Sequence, residues 1–178
     1  KYKEGDGLRQ SMEATNKAEL ILLTNRAQAY KVRLYEFEDT RASALGDYLP
    51  QKLGMDEGEA PVFALLPGDY SGNLICVFEN GKLAKVELSA FATKSNRRKL
   101  TGAYCDKSPL VAAFHARPDV ELALYTQSRA LIVNTALLHT KKQRLMSIVT
   151  EHFYQKEKNN ELPIAILSHA VECHGAED

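Results

Sequence analysis

Two apolar runs flank a tight turn in the stretch Asn73-Leu-Ile-Cys-Val-Phe-Glu-Asn-Gly-Lys-Leu-Ala-Lys-Val-Glu-Leu88. Both runs are rich in the residue types found in strands, and polar residues alternate with apolar ones after the turn. Asn80-Gly81 lies between the runs, and this dipeptide favours a type I′ turn, in which both central residues have φ > 0. The stretch therefore predicts a β-hairpin.

The same pattern recurs on both sides of this hairpin. Residues 19–32 (ELILLTNRAQAYKV) match it at an offset of 54 positions, and residues 122–133 (LALYTQSRALIV) match it at an offset of 47. A hairpin that recurs about every 50 residues is typical of bladed β architectures. We expect an all-β chain, with hairpins at residues 19–35, 73–88 and 120–138 and repeat units of about 1–66, 67–114 and 115–170.

Two further similarities lie between the hairpins. Pro61-Val-Phe-Ala-Leu-Leu66 is similar to Pro109-Leu-Val-Ala-Ala-Phe114, and both predict a buried strand. Leu45-Gly-Asp-Tyr48 is similar to Leu100-Thr-Gly-Ala-Tyr104. Gly46, Pro50, Gly54 and Gly58 predict turns rather than a long helix in and after residues 37–53. In the first hairpin, Asn25 is the residue that tolerates a left-handed conformation. Residues 146–150 and 162–167 are predicted strands, 151–161 an exposed connection, and 172–178 a frayed end.

Composition places few limits on the function of the chain. Its 178 residues include no apolar run of the ~20 residues that would cross a bilayer. The three cysteines, Cys76, Cys105 and Cys173, have no paired spacing, which favours a reducing compartment such as the cytoplasm. The chain begins at Lys1 rather than Met, and we expect it to be a piece of a longer protein.

Charge is unevenly distributed along the chain, although the formal net charge is zero. Residues 34–70 contain eight acids and two bases, whereas residues 91–144 contain ten bases and three acids. Such a chain could present a basic face to nucleic-acid phosphates. The alternative is that folding mixes the two segments in space.

Basic side chains in the hairpins and in the arms that follow them are the candidate DNA contacts. Lysine and arginine at equivalent positions of a curved repeat would form a track that neutralises phosphates without reading sequence. The alternative for any one of them is a solvated position on a strand. The candidates are Lys31, Arg33, Lys82, Lys85, Lys94, Arg97, Arg98, Lys99, Arg129, Lys141, Lys142 and Arg144.

No pattern in the sequence indicates catalysis or a metal site. There is no nucleophile motif of the form Gly-x-Ser-x-Gly, no Walker loop and no Gly-x-Gly-x-x-Gly. His169, Cys173 and His174 could share one helical face, but no second pair of ligands supports a metal. The carboxylates Asp56, Glu57 and Glu59 are expected to lie in a turn and to be solvated.

Four segments together resemble the C-terminal domain found in the A subunits of type IIA DNA topoisomerases, the family of DNA gyrase and topoisomerase IV. They are Leu22-Leu-Thr-Asn-Arg-Ala-Gln-Ala-Tyr-Lys-Val32, Ala42-Ser-Ala-Leu-Gly-Asp-Tyr48, Phe78-Glu-Asn-Gly-Lys-Leu-Ala-Lys-Val86 and Asn96-Arg-Arg-Lys-Leu100. The resemblance implies a β-pinwheel, a propeller-like disc whose four-stranded blades exchange strands. The first and last blades would be incomplete here. The family's basic rim binds and bends DNA.

The resemblance also implies which activities lie outside this chain. The ATP-hydrolysing isomerase activity, Mg²⁺ and ATP would belong to other domains or to the B subunit. The partners would be double-stranded DNA, the B subunit, and the catalytic core of the same A subunit, in the bacterial nucleoid. A Gln-Arg-Arg-Gly-Gly-Lys-Gly-like box, typical of gyrases that wrap DNA, is absent from the sequence. Topoisomerase IV-like relaxation and decatenation are therefore at least as compatible with the sequence as supercoiling.

A different class of function remains open at this point. The chain could be a protein-interaction propeller whose working surface is the acidic segment Glu36–Asp69.

Overall fold

The structure is a computed structural model that describes residues 7–41, 43–93, 97–127 and 130–141, and the backbone of 169–173. This part of the chain contains eleven β-strands, one short α-helix and three 3₁₀ turns. The strands are β1 Glu19–Thr24, β2 Ala29–Arg33, β3 Pro61–Leu65, β4 Asn73–Phe78, β5 Leu83–Glu87, β6 Lys99–Leu100, β7 Leu110–Ala116, β8 Glu121–Tyr125, β9 Ala130–Asn134, β10 Thr140–Lys141 and β11 His169–Cys173. The helix is α1 Leu49–Leu53, and the 3₁₀ turns are Leu34–Glu36, Leu88–Phe91 and Thr135–Leu137.

The three predicted hairpins are confirmed. They are the antiparallel pairs β1–β2, β4–β5 and β8–β9, which we call the first, second and third hairpins. A 3₁₀ turn directly follows each of them. β1 and β4 also share a register shift in their pairing with β3 and β7 respectively, between Leu23 and Thr24 and between Val77 and Phe78. Because these shifts lie 54 positions apart, the repeat extends to irregular features of the backbone.

The turn of the second hairpin differs from the prediction. Phe78 N–H donates to the Lys82 carbonyl at 2.9 Å, so the loop has three residues rather than two. Gly81 has φ +79°, but Asn80 does not have a positive φ, and the predicted type I′ turn is wrong. In the first hairpin the left-handed residue is Ala27, at φ +53°, rather than Asn25. A three-residue loop that ends in a left-handed residue produces a bulge and matches the twist of the strands.

A third strand joins the outer side of each hairpin. The strands predicted after Pro61 and Pro109 are confirmed, because β3 pairs with β1 and β7 pairs with β4, both antiparallel. Their predicted burial is not, since most residues of both strands are only half-buried. β11 pairs with β8, also antiparallel. Since β11 includes Glu172 and Cys173, the expectation of a frayed end was wrong for these two residues. The segments 146–150, 151–161 and 162–167 lie outside the described residues.

The chain that follows one hairpin supplies a strand to the sheet of the preceding hairpin. The strand order is β3-β1-β2-β6 in the first sheet and β10-β5-β4-β7 in the second. β6 follows the second hairpin but pairs with β2, and β10 follows the third hairpin but pairs with β5. The third sheet contains β11-β8-β9 among the described residues. This exchange agrees with the expected pinwheel.

Apolar side chains fill the space between consecutive sheets. One cluster joins the first hairpin to the second and includes Ile21, Leu74 and Phe91, all at most 1% exposed. Another joins the second hairpin to the third and includes Ile75 and Leu122, both fully buried. β4 is therefore buried on both faces, which explains its continuous apolar run.

The remaining face of the first sheet is covered by a short segment rather than by a sheet. Leu53 at the end of α1 packs against Leu20, Leu22, Tyr30 and Val32. α1 is only five residues long and ends at Gly54, which has φ +61°, so turns rather than a long helix occupy this region as predicted. No helix in the described part of the chain has the length and apolarity to span a membrane.

Candidate nucleic-acid interface

A groove of about 430 Å³ lies where the first hairpin meets the segment that follows the second hairpin. Four of its lining side chains are basic and two are acidic, so the groove has a net positive formal charge. The charged and aromatic residues that line it are Glu19, Lys31, Arg33, Tyr35, Glu36, Tyr70, Arg97 and Arg98. In this groove candidate residues of the first hairpin, Lys31 and Arg33, lie beside Arg97 and Arg98 from the segment after the second hairpin.

Local structure explains how distant residues reach this groove. Arg33 is the last residue of β2, and Tyr35 lies in the 3₁₀ turn that follows. Lys31 N–H donates to the Arg98 carbonyl at 2.7 Å, which extends the pairing of β2 with β6 and fixes the backbone of residue 98 beside the first hairpin. Strand exchange therefore brings Arg97 and Arg98 next to Arg33.

The outer side chains of the groove are open to solvent. The Arg33 and Arg98 side chains are 48% and 50% exposed, and Tyr35 is 67% exposed. Arg97 is also exposed, and no carboxylate of the described residues lies within ion-pair distance of it. An exposed aromatic ring and exposed guanidinium groups therefore line the same groove, a combination that suits the stacking and charge contacts of nucleic acids.

Two carboxylates hold the arginines in place. Arg33 lies 3.3 Å from Glu19, and Arg98 pairs with Glu36. Glu36 also accepts a hydrogen bond from Arg33 N–H at 3.1 Å, so one carboxylate connects both sides of the groove. Exposed pairs of this kind contribute about 1 kcal/mol or less to stability, and a phosphate can compete for the guanidinium.

Lys31 forms the floor of the groove rather than its rim. Its side chain is 10% exposed, lies 3.2 Å from Glu19 and donates to the Phe91 carbonyl at 3.3 Å. Burial disfavours the charged form of Glu19, but hydrogen bonds from Tyr70 and Lys31 outweigh it, so the pKa of Glu19 is lowered. Phe91 belongs to the second 3₁₀ turn, so the ammonium group joins the two hairpins.

Lys85 occupies the equivalent position of the second hairpin and makes equivalent contacts. It is 5% exposed, lies 2.6 Å from Asp119 and donates to the Thr135 carbonyl at 3.0 Å. Thr135 begins the third 3₁₀ turn, so Lys31 and Lys85 each bind the 3₁₀ turn of the following hairpin. We call these two residues the clasp lysines. Their ammonium groups are occupied inside the protein.

Lys99 is half-buried and lies apart from the groove. It is 2.9 Å from Asp56, and its ammonium group lies 5.6 Å from the centre of the Tyr30 ring. The hydrogen bond to Asp56 raises the pKa of Lys99. Lys82 and Lys141 are also half-buried, in the turn of the second hairpin and in β10 respectively. The other candidates, Lys94, Arg129, Lys142 and Arg144, lie outside the described residues.

The acidic and basic segments mix in the folded chain. Three ion pairs connect them: Arg98 with Glu36, Lys99 with Asp56, and Arg117 with Asp69. The alternative considered for the charge distribution is therefore the correct one for these residues. Four basic and two acidic side chains line the groove, so a net positive formal charge remains there in spite of this mixing.

Glu59 has a structural position that sequence reasoning missed. It is 3% exposed and accepts hydrogen bonds from Thr24, from the Tyr30 hydroxyl at 2.9 Å and from Asp56 N–H at 3.0 Å. Burial opposes ionisation, but these donors outweigh it and lower the pKa of Glu59. The expectation that all three carboxylates of this turn are solvated was wrong for Glu59.

The described residues contain no group of three or more histidine, cysteine or acidic side chains placed to hold a metal ion. His169 and Cys173 lie in β11, so the helical face considered for them is wrong. Sequence reasoning also missed Glu19, Tyr35 and Glu36 as groove residues. Tyr35 lies two positions after Arg33, and this proximity was the only available sign.

Comparison with known proteins gives matches among solved structures. No protein-family model and no curated protein matches the chain. The C-terminal domain of DNA topoisomerase IV superposes on 90% of this chain with a TM-score of 0.71 and 20% identity. The DNA gyrase A C-terminal domain superposes on 89% with a TM-score of 0.60 and 13% identity. The E. coli ParC C-terminal domain superposes on 83% with a TM-score of 0.56 and 15% identity.

The chain has the β-pinwheel fold of these topoisomerase domains. The expected fold is thereby confirmed, including the exchange of strands between blades. This chain spans about half the length of the first two structures, at 48% and 49%, and 62% of the third. At such identities the likeness concerns the fold.

Proposed function

We propose that this chain is a non-catalytic DNA-binding module from the A subunit of a bacterial type IIA DNA topoisomerase. The observation that carries the proposal is the basic groove of Arg33, Arg97 and Arg98, placed on a fold shared with topoisomerase IV and gyrase A C-terminal domains. The module would hold a segment of double-stranded DNA beside the catalytic core of the same subunit, which works with the B subunit in the nucleoid.

The groove suits a phosphate backbone rather than a base sequence. Guanidinium groups that are about half exposed can contact phosphates without a large desolvation cost. Each contact releases counterions, and the observed affinity falls as salt rises. We infer that Arg33, Arg97 and Arg98 are the main contacts of the described residues, with Lys82, Lys99 and Lys141 in supporting positions. Lys94, Arg129, Lys142 and Arg144 stay candidates on sequence grounds.

DNA would enter the groove by displacing Glu36 from Arg98. This exchange keeps the guanidinium paired throughout, first with a carboxylate and then with a phosphate. The other carboxylate oxygen of Glu36 accepts a hydrogen bond from Arg33 N–H, which would hold the backbone in place. Only side chains would therefore move during the exchange. The parent enzyme would be of the gyrase or the topoisomerase IV type, with relaxation and decatenation at least as compatible with this sequence as supercoiling. ATP and Mg²⁺ would act elsewhere in that enzyme.

The decisive experiment is a DNA-binding titration with duplexes of unrelated sequence at several salt concentrations. We expect similar affinities for all duplexes and a log–log salt slope whose magnitude falls by about 0.9 for each phosphate contact removed. Arg97→Gln and Arg98→Gln, alone and together, remove groove charges while they leave the clasp lysines intact. The paired variant should bind more weakly and show the shallower slope.

Arg117→Gln is the matched control. Arg117 is 57% exposed and paired with Asp69, but it does not line the groove. Its loss should leave the affinity and the slope nearly unchanged. Equal effects from the control and the groove variants would reject the groove as the binding site. No DNA binding at low salt would reject the proposed function.

A further inference from the structure

Glu19 is the carboxylate that the basic groove and the first clasp lysine share. Its side chain is 16% exposed and lies 3.2 Å from the Lys31 ammonium and 3.3 Å from the Arg33 guanidinium. The Tyr70 hydroxyl is a third donor to the same carboxylate. Of these three partners, Arg33 is the most exposed, so Glu19 connects a buried polar cluster with a side chain at the surface of the groove.

Tyr70 reaches Glu19 from a turn with an unusual backbone conformation. It lies in the connection between β3 and β4, and its N–H donates to the Pro67 carbonyl at 2.9 Å. Its φ is +62°, in a region that large side chains rarely occupy. The ring is half-buried against the apolar cluster between the first and second hairpins, and the Lys31 ammonium lies 5.0 Å from its centre. These contacts retain the strained conformation and place the hydroxyl on Glu19.

The second clasp lysine shows which part of this arrangement is specific to the groove. Asp119 accepts from the Lys85 ammonium at 2.6 Å and from the Thr135 hydroxyl at 2.8 Å, so it too combines an ammonium with a hydroxyl. Among the described residues Asp119 has no arginine partner, whereas Glu19 pairs with Arg33. Only in the first hairpin does the hydroxyl therefore act on a carboxylate that also holds a groove arginine of the described residues.

The guanidinium group of Arg33 is held through both of its terminal nitrogens. Nη2 lies 3.3 Å from Glu19, and Nη1 donates to the Lys17 carbonyl at 3.3 Å. We propose that Tyr70 is a positioning residue for DNA binding: it fixes Glu19, and Glu19 fixes the Arg33 guanidinium in the orientation that meets a phosphate. This inference rests on the proposed function of the groove and adds to it a residue that acts through Arg33.

Loss of the Tyr70 hydroxyl would weaken DNA binding in two ways. Glu19 would lose an anchor, so the Arg33 side chain would have to be ordered when a phosphate binds, which costs conformational entropy. Glu19 would also divide its charge between two donors rather than three, and it would compete more strongly with the phosphate for Arg33. Neither effect changes the number of charges in the groove. The affinity should therefore fall while the salt slope stays the same.

Tyr70→Phe tests the proposal, because it keeps the ring and its packing but removes the hydroxyl. In a DNA titration the variant should bind about threefold to tenfold more weakly, with an unchanged log–log salt slope. In a double-mutant cycle, Tyr70→Phe should have no further effect once Arg33→Gln is present, because its effect passes through Arg33. NMR relaxation of the Arg33 Nε–H group, measured without DNA, should show greater mobility in Tyr70→Phe than in the unmodified chain.

Tyr104→Phe is the matched control. Tyr104 belongs to the same apolar cluster and its hydroxyl donates to the Thr24 carbonyl, but it does not line the groove. Its loss should lower stability and leave both the DNA affinity and the Arg33 mobility unchanged.

The outcomes separate this proposal from the proposed function. Unchanged affinity or unchanged Arg33 mobility in Tyr70→Phe overturns the positioning role, as does an equal loss of affinity with and without Arg33→Gln. In these cases DNA binding by the groove still stands. No DNA binding by the unmodified chain at low salt would instead reject the proposed function, and the role of Tyr70 with it.

Discussion

Replacement of a clasp lysine distinguishes a structural role from a DNA-binding role. Lys85→Met keeps most of the aliphatic stem of the side chain but removes the ammonium group. The lost contacts are the 2.6 Å ion pair with Asp119 and the 3.0 Å hydrogen bond to the Thr135 carbonyl. Both contacts join the second hairpin to the third, so their loss weakens the connection between two sheets.

The size of the effect follows from the burial of the two partners. Removal of one partner of a fully buried ion pair costs about 3–5 kcal/mol, mostly because the other charge is left unpaired. Asp119 is 37% exposed on its side chain and keeps a hydrogen bond from the Thr135 hydroxyl at 2.8 Å. Water can therefore hydrate it in the variant. We expect Lys85→Met to lower the free energy of unfolding by about 2 kcal/mol, or the melting temperature by about 4–8 °C.

Two measurements on the same variant are needed. Denaturant unfolding gives the change in stability, and DNA titration against salt gives the change in phosphate contacts. Because the Lys85 ammonium is occupied and 5% exposed, the salt slope should stay unchanged under native conditions. Lys82→Met is the matched control, since Lys82 is half-buried in the same hairpin and has no ion pair among the described residues. It should change stability by less than about 0.5 kcal/mol.

The opposite outcome would refute this reasoning. If Lys85→Met leaves the unfolding curve unchanged and lowers the magnitude of the salt slope by about 0.9, Lys85 binds phosphate. Its contacts with Asp119 and the Thr135 carbonyl would then contribute nothing measurable to the free energy of unfolding.

Three further predictions concern single residues. Glu36→Gln should strengthen DNA binding several-fold, because it releases Arg98 from its carboxylate; weaker binding in the same titration would contradict the proposed exchange. Gly72→Ala should lower the free energy of unfolding by about 2–4 kcal/mol in a denaturant titration, because Gly72 has φ +84° and a Cβ would lie 2.7 Å from the Ala116 carbonyl oxygen. Gly68→Ala is the control: Gly68 has φ +58° but open space around it, so the loss should be about 1 kcal/mol. The pKa of Glu59 is lowered from 4.5 in the folded chain, so its contribution to stability is present above that pH and is lost as the pH falls through the folded pKa. Glu59→Gln should therefore flatten the acid limb of a curve of unfolding free energy against pH. An unchanged limb would show that Glu59 does not contribute to acid unfolding.

Short-range patterns were sufficient to predict the hairpins. Alternation of residues around Asn80-Gly81, and the offsets of 54 and 47, gave the positions of β1–β2, β4–β5 and β8–β9. The predicted turn type was wrong, because the Asn-Gly dipeptide also fits a three-residue loop with Gly81 in the left-handed region. Turn type depends on which backbone groups pair across the strand ends, and this pairing is not visible in a dipeptide.

Long-range contacts limited the prediction of the site. The sequence shows Lys31 and Lys85 as alternating strand residues, which in an isolated hairpin would face solvent. Strand exchange places the next 3₁₀ turn over each of them, so they become buried contacts between sheets. The same exchange moves Arg98 to within reach of Glu36, which reverses the expectation of separate acidic and basic faces. Equivalent positions in a repeat thus share their surroundings only when each has a following hairpin.

Ile132 illustrates this dependence. It occupies the clasp position of the third hairpin, but no 3₁₀ turn of a fourth hairpin lies over it in the described residues. Ile132 is 63% exposed, whereas Lys85 at the equivalent position of the second hairpin is 5% exposed. Lys85 is buried because Asp119 and Thr135, on either side of the third hairpin, lie against it. The surroundings of this position therefore depend on the hairpin that follows, so they cannot be predicted from the sequence of one hairpin alone.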